Sequence, residues 1–482
     1  MKKFLLFCTL LSAGLNSLAQ NYRAIMGSSY AGALGVHNNP ASIVGTPYKW
    51  DLALFGVQGT TSTNAIKVLD YSYLSSPANS LFYIQKGEFA RKANLSANVN
   101  LLNLRLNLNQ KSAIAIGVNL RGYTNLKTSS YNFIDTLKNV SNFLNINPGM
   151  NNVNAMLRSS AWAEAFISYA RTLSDNEAGR LNAGFTLRVG RGLSGAVADV
   201  NDISYTRTTV NNAPVYTVNT VDLLYGYSSN YDRIKSGNGS QNTKDFLQST
   251  NGGASFDLGI EYMVKAQGEA GFNDAASYYD YDWKIGVSLL DVGANQYTYG
   301  LESRRALGLK TNITNGTLDQ RFDSTIRSVR SFTDTLDQLL NAAYPGKQFT
   351  VVNPTRLVIN VDHYLTGDFY INGELSLNIP LASLKKGWLQ VKETNLLSLT
   401  PRWERKRWGA YLPIQFNTRQ QFWVGAAFKA GPLLFGIHNV ANLFSKTSTA
   451  NGGGYIALII RPWGGGSESR GDKRLECPKP VW

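Results

Sequence analysis

Period-two alternation of apolar and polar residues, sustained over whole segments, is the feature that most restricts how this chain can fold. In 181–190, Leu181, Ala183, Phe185, Leu187 and Val189 alternate with Asn182, Gly184, Thr186, Arg188 and Gly190. In 255–264, Phe256, Leu258, Ile260, Tyr262 and Val264 alternate with Ser255, Asp257, Gly259 and Glu261. Residues 369–379, 102–109 and 113–121 read the same way. Successive side chains of a strand point to opposite faces, so each segment carries one apolar face and one polar or small face. Weaker versions occupy 50–58, 160–171, 193–207, 213–229, 281–290, 301–311, 355–364, 394–404, 407–417, 421–430, 432–438 and 453–461. The fold class is all-β.

A soluble sandwich alternates too, but three features favour a transmembrane antiparallel β-barrel. The segments are long, and membrane-crossing strands need about 9–11 residues against about 5–6 in globular sheets. The polar faces are rich in Gly, Ser, Asn and single charges, as a lumen requires. Connections tend to alternate between short (109–111, 366–368, 404–407, 430–431) and long (125–159, 380–393, 439–452), as periplasmic turns and external loops do. Two connections break that parity: 230–252 is long where a turn is expected, and 417–420 is short where a loop is expected. The segments allow up to sixteen strands. The alternation changes phase between Leu101 and Leu102, which marks a bulge or a bend.

Residues 1–19 read as a secretory leader: Lys2 and Lys3, an apolar run Phe4 to Leu15, and a small-x-small site at Ser17-Leu18-Ala19, so the exported chain starts at Gln20. No later run is apolar enough for a transmembrane helix. Losing Lys2 and Lys3 takes the net charge from +15 to +13. That basic charge is scattered, with one dense cluster at 402–407, so nucleic acid is not an expected partner. Cys8 leaves with the leader, which makes Cys477 the sole exported cysteine and excludes an internal disulfide or a cysteine metal site.

Residues 22–46 lack alternation and are dense in Gly, Ser and Ala, which lets a chain pack closely against other backbone inside a lumen. Within them, GSSYAGALGVHNNPASI (27–43) resembles the start of the FadL-type family of outer-membrane transporters for long-chain fatty acids and other hydrophobic molecules. That resemblance implies a fourteen-strand barrel and a lumenal hatch bearing Asn39, Pro40 and Ala41. KIGVSLLDVG (284–293), TPRWERKRWGAYLPI (400–414) and KAGPLLFGIHNVANLF (429–444) resemble an exported barrel family catalogued as a domain of unknown function. That family is similar to FadL-type barrels and to the type IX secretion shuttle barrel.

Two loops carry helical spacing. Phe322, Ile326, Val329, Phe332 and Leu336 share one face, as do Phe133, Leu137, Val140 and Phe143. Such faces either cap the barrel mouth or line a ligand entrance. Arg188, Asp257, Glu261 and Glu374 fall on polar faces, where they are solvated wall charges or a mixed-sign constriction that filters solutes or holds the hatch.

Chemistry for catalysis is sparse. None of His37, His363 and His438 sits in a metal-binding motif, and Asp362 and His363 are strand neighbours that point apart. Gly190 to Gly195 matches GxGxxG but lies within strand alternation, so a bulge is expected there rather than a dinucleotide site. No enzyme activity, metal or cofactor is expected.

The sequence therefore specifies a leader (1–19), a hatch (20–48), a barrel (49–463) and a tail (464–482). The favoured count is fourteen strands, with sixteen open, and short helices are expected in external loops. Outer-membrane lipid is the expected surrounding. The favoured function is passive transport of a small hydrophobic or amphipathic molecule. The other reading is a non-transporting barrel that serves a secretion or surface-attachment machine as a binding platform. Either way the protein should sediment with outer membrane and migrate faster on gels before boiling than after. Recovery in the soluble periplasmic fraction contradicts the barrel.

Overall fold

The computed structural model describes residues 22–69, 72, 81–150, 152–234, 239–248, 250–265, 281–444 and 451–462. The leader with Cys8, the start at Gln20 and the tail with Cys477 lie outside the described residues.

Fourteen strands form the wall. They are β1 (Trp50–Thr63), β2 (Gly87–Asn109), β3 (Ser112–Phe133), β4 (Asn152–Asp175), β5 (Gly179–Val210), β6 (Gly252–Val264) and β7 (Trp283–Thr298). They continue as β8 (Gln348–Val352 with Arg356–Thr366), β9 (Phe369–Asn378), β10 (Leu396–Glu404), β11 (Trp408–Tyr411 with Ile414–Asn417), β12 (Phe422–Val424 with Ala426–Ala430), β13 (Leu433–Ile437) and β14 (Asn451–Ile460). Each pairs antiparallel with the next. β1 pairs with β2 (Trp50↔Leu106) and also with β14 (Leu52↔Ile460), which closes the sheet. A closed sheet leaves no unpaired edge, the condition for strands to cross lipid.

Alternation sorts the wall into two faces. Ile116, Val118, Phe185, Leu187, Leu258 and Ile260 are exposed on the outside, and Asn119, Thr186 and Asp257 are buried on the inside. At one end the turns are short. Gly367 and Gly431 take left-handed backbone there (φ 59° and 57°), which reverses the chain in few residues. Trp50, Trp283, Phe369 and Trp408 are exposed near that end, as an interfacial aromatic girdle requires.

The strand count resolves through β5. Segments 181–190 and 193–207 are one strand of 32 residues. Its lower part, Gly179 to Arg191, pairs with β6, and its upper part, Ala196 to Val210, pairs with Ala213–Tyr227. The segments at 213–229 and 301–311 are thus real strands but not wall strands. Ala213–Tyr227, Arg304–Leu309 and Leu340–Ala343 extend the sheet above the long-loop end. Residues 230–252 consequently connect on the outer side, which removes one parity exception. The connection from β6 to β7, 265–282, belongs to the short-turn end, and most of it lies outside the described residues. The 417–420 turn stays short on the outer side.

The two sequence irregularities are bulges. Asn100 pairs with Asn119 and Leu102 with Val118, so Leu101 is extra, and Leu101 and Leu102 are both exposed (43% and 48%). In the GxGxxG run, Gly192 pairs with Trp162 and Ser194 with Ala161, so Leu193 is extra.

The outer layer holds α1 (Val140–Asn145), α2 (Gly239–Leu247), α3 (Asn315–Arg321) and α4 (Val329–Leu339). α1 and α4 are capped by Asn139 and Ser328, whose side chains accept from Asn142 N and Ser331 N. Leu336 is buried with Val218, Val221, Ala306 and Leu340, and Phe322 and Phe332 pack on that cluster. Ile326 and Val329 are half-buried. The apolar face of α4 is therefore spent on the outer sheet. Val140 and Phe143 likewise pack with Leu144, Tyr205 and Tyr216.

Val118 lies mid-height on the lipid face, so Val118→Arg should cost about 2–4 kcal/mol, while Leu365→Arg beside a turn should cost about 0–1 kcal/mol. Denaturant unfolding from lipid vesicles measures both, and equal costs contradict the assigned membrane span.

Candidate functional site

The lumen is filled by the chain itself. Tyr22 to Tyr48 runs inside the wall, and nearly every residue of it is buried. Lacking alternation, it forms short 3-10 turns at Arg23–Ile25, Gly32–His37 and Pro40–Ile43. Gly27 and Gly32 provide left-handed backbone between them (φ 69° and 60°). Asn39 is extended, as the residue before a proline prefers, and its Oδ1 accepts from Ala41 N at 2.9 Å to cap the third turn.

A row of wall glycines seats that turn. Gly184 pairs directly with Gly259, and Gly286 follows on the next strand. A Cβ on Gly184 would lie 2.7 Å from Ala41 N, one on Gly259 would lie 2.9 Å from Pro40 Cδ and collide with Asn39 Oδ1, and one on Gly286 would lie 2.9 Å from Asn39 Nδ2. Asn39 Nδ2 donates to Ile260 O at 3.0 Å. The Asn-Pro-Ala turn and the thinned wall are thus shaped to each other.

Elsewhere the inner segment is held by polar groups on widely spaced strands. Tyr22 N and OH donate to Gln58 (3.0 Å) and Asn100 (2.7 Å), and Ala33 N to Asp51 (2.5 Å). Arg23 pairs with Glu374 at 3.0 Å, and Ser28 donates to Glu404 at 2.6 Å. Lys284 donates to Ser29 at 3.2 Å and Ser288 to Asn38 O at 2.7 Å. Arg105 donates to Ile43 O (2.6 Å) and Tyr48 O (2.9 Å) while pairing with Asp51. His37 packs edge-on to Phe166 and lies 2.8 Å from Asn103 Nδ2.

Above the segment lies a belt of buried ions. Arg188 pairs with Asp257 and with Glu164 (2.9 Å), Arg121 with Asp291 (Nη2 to Oδ2, 2.8 Å) and Arg356 with Glu393 (2.7 Å). Arg121 also lies 3.6 Å from Glu164, and Arg356 lies 3.6 Å from Asp291, which makes the belt continuous. Asp291 sits in a β7 bulge with left-handed backbone (φ 59°), and this turns its carboxylate into the lumen. A second cluster lies toward the short-turn end, where Arg402 holds Asp362 (2.6 Å) and Glu404 (3.1 Å), and Lys429 holds Glu404 (3.0 Å).

The outer mouth is closed as well. Tyr123 stacks on Trp162, Tyr297 stacks on Phe349, and Val391 is fully buried among them. Val391 belongs to the connection between β9 and β10, which folds inward. Its Leu389–Gln390 pairs parallel with Val351 and Val352, its Glu393 accepts from Tyr123 OH at 3.1 Å, and Lys392 N donates to Asn125 at 2.6 Å. Two cavities among the described residues, one beside His37, Asn100 and Arg121 and one beside Gly192, Asn230 and Tyr297, each hold about 10 Å³, the scale of one water.

The sequence-derived residues fall as follows. Asn39, Pro40 and Ala41 meet the glycine seat. Arg188 and Asp257 pair with each other, Glu374 holds Arg23, and Asn182 donates to Glu261 at 3.3 Å. The Phe322 to Leu336 face lies on the outer sheet, apart from these groups. His37, His363 and His438 are dispersed. His363 stacks on Trp283 at the outer surface, and His438 packs on Tyr455. Asn103, which alternation places on a polar face, is wholly buried against His37. Sequence reasoning missed Arg121, Glu164, Asp291, Arg356 and Glu393. Only Asp291 left a trace, the break in alternation at Leu289-Leu290.

Residues 40–439 match the profile described as "Family of unknown function (DUF5723)". No curated protein matches. Among solved structures, a Pseudomonas aeruginosa FadL homologue is similar at 9% identity and a TM-score of 0.37, over 92% of this chain and 97% of that one. The monoaromatic hydrocarbon channel TodX, as a deletion mutant, is similar at 8% identity and 0.35, over 92% and 95%. The Ralstonia pickettii toluene transporter TbuX is similar at 8% and 0.29, over 89% and 94%. The barrel described above rests on the chain's own strand registers.

Gly259→Val should expel Asn39 and Pro40 from their seat while leaving the ladder intact, at a cost of about 1–3 kcal/mol from overpacking. Protease should then cut within 22–46 of a barrel that still shows heat-modifiable mobility. Unchanged protection of 22–46 contradicts the seat.

Proposed function

The chain belongs to this family of unknown function, and from that premise we propose that it is a gated outer-membrane channel that passes a small hydrophobic or amphipathic molecule, with the inner segment as its gate. One observation carries the reading. The inner segment fills the lumen yet supplies no wall strand, so its departure breaks side-chain contacts and no rung of the closed ladder. Exchange of protein partners for water on a polar wall is affordable in a way that opening the ladder in lipid is not.

In the proposed mechanism, cargo arrives at the aromatic layer of Tyr123, Trp162, Tyr297 and Phe349 and takes the place of Val391. Displacing that loop pulls Glu393 from Arg356. Arg356 then redistributes among the belt carboxylates, and the balance of charge around Arg23 and Glu374 changes with it. Removing one partner of a buried pair costs about 3–5 kcal/mol, so the belt couples the outer closure to the inner one. The seat of Asn39 and Pro40 gives the segment a defined position to return to.

The platform reading draws on the outer sheet. β5 rises far past the length a bilayer needs, and Ala213–Tyr227, Arg304–Leu309 and Leu340–Ala343 widen it into a surface for a secretion or surface-attachment partner.

Planar-bilayer conductance separates the two. Deleting 22–46 should leave a heat-modifiable barrel whose conductance rises several-fold, and adding Glu393→Gln should raise it further. If the folded deletion barrel conducts no more than the full chain, with the loop intact or loosened, the channel reading fails and the platform stands.

A further inference from the structure

The outer closure brings like charges together. The β9–β10 loop is seated on two wall asparagines. Asn125 Oδ1 accepts from Lys392 N at 2.6 Å, Asn125 Nδ2 donates to Lys392 O at 2.9 Å, and Asn94 Nδ2 donates to Thr394 Oγ1 at 3.4 Å. Two residues further out, on the same inner face, Lys92 and Lys127 pair directly across β2 and β3. The Cβ atoms of such a pair lie about 4.5–5.5 Å apart, and like charges there are destabilising. Ser62, the partner of Asn94 on β1, accepts from Arg419 of the 417–420 turn at 3.4 Å. The rim therefore gathers Lys92, Lys127, Lys392 and Arg419 around one pair of asparagines.

No carboxylate answers them. None of the four forms an ion pair among the described residues. Asp199 is held through both oxygens by Arg158, at 2.6 and 2.7 Å. Both oxygens of Glu393 are taken from within, by Tyr123 and Arg356. Glu88, on the same face of β2, stands four residues or about 13 Å beyond Lys92. Lys127 and Lys392 are exposed, and Lys92 and Arg419 are half-buried, so a ligand reaches the group from outside without entering the filled lumen.

The loop thus closes against repulsion between its own lysine and the wall, and a multivalent anion removes that opposition. A carboxylate brings a single charge to four cations. A phosphate group carries about −1.5 to −2 near neutral pH and offers three acceptor oxygens. Lysines bind such groups as point charges, from several directions at once. We propose that Lys92, Lys127, Lys392 and Arg419 form a site for a soluble phosphate-bearing anion, which bridges the β9–β10 loop to the wall and holds the outer mouth shut. The anion is an effector of closure, distinct from the cargo. Its effect on passage rests on the gate reading, whereas its binding does not.

Inorganic phosphate is the probe, on the full chain in detergent, against sodium chloride at equal ionic strength. Amine acylation read by mass spectrometry reports the site. At a phosphate concentration a few times the dissociation constant, labelling of Lys92, Lys127 and Lys392 should slow at least about threefold, while Lys138 and Lys244 on outer loops keep their rates. Hydrogen exchange at the amides of 391–393 reports the bridge and should slow several-fold in phosphate. Lys127→Gln should abolish both responses, and Lys138→Gln neither. Equal labelling in the two salts, or a slowing that extends to Lys138 and Lys244, overturns the site. Protected lysines with unchanged exchange at 391–393 overturn the bridge. In phosphatidylcholine vesicles containing phosphatidic acid and no free phosphate, the three lysines should react as fast as in phosphatidylcholine alone, because they stand on the inner face of the rim. Protection there overturns the soluble source and assigns the phosphate to a lipid headgroup. If phosphate protects and bridges but the deletion barrel is silent in bilayers, the gate reading fails and the site stands. If the deletion barrel conducts and phosphate changes nothing, the site fails alone.

Discussion

Closure of the sheet between β1 and β14 is the constraint from which the rest follows. In lipid, backbone groups cannot turn to solvent, so the ladder has to be complete before anything else is arranged. A closed ladder with alternating side chains sends every second residue inward. Those residues are polar here, and their desolvation has to be compensated. The chain compensates it with its own N-terminal segment from one end and its β9–β10 loop from the other.

Buried ion pairs are weak evidence of stability, because desolvation cancels much of their attraction. Their value here is positional. Arg121 and Arg188 each touch carboxylates from two other strands, and Arg356 touches one from β7 and one from the β9–β10 loop, so a shift of any one strand misplaces several partners together. Asp291 shows how far the geometry is bent to this end, since a left-handed aspartate is held at a bulge to complete the belt.

Much of the wall was legible in the sequence because alternation is local. Leu258 and Asp257 declare their faces without reference to any partner, and the Leu101 phase change marks a bulge at the position where the ladder has one. What alternation cannot give is which strand lies beside which at what height. The segment 213–229 reads as a wall strand by its own pattern, and only its pairing above β6 removes it from the barrel. The belt was hidden for the same reason. Glu164 and Arg188 look like isolated charges until register sets them 2.9 Å apart. Glu393 lay in an unpatterned loop, and the RWERKR cluster looked like a basic patch although Arg402 and Glu404 turn inward to pair. The hatch reading drew on small residues and Asn39-Pro40-Ala41, but the glycines that receive them are spread over three strands and carry no local mark.

The radial arrangement of the inner segment has a mechanical consequence. A wide tube of hydrogen-bonded strands is stiff along its strands and soft to flattening. Here Gln58, Asn100, Ile260, Lys284, Glu374 and Glu404, on six strands around the circumference, are all tied to one short peptide, like spokes to a hub. Any distortion that makes the cross-section oval lengthens some spokes and slackens others. Lateral pressure from the surrounding bilayer is thereby delivered to Tyr22–Tyr48 as strain, and the roundness of the barrel and the seating of the segment become a single mechanical variable.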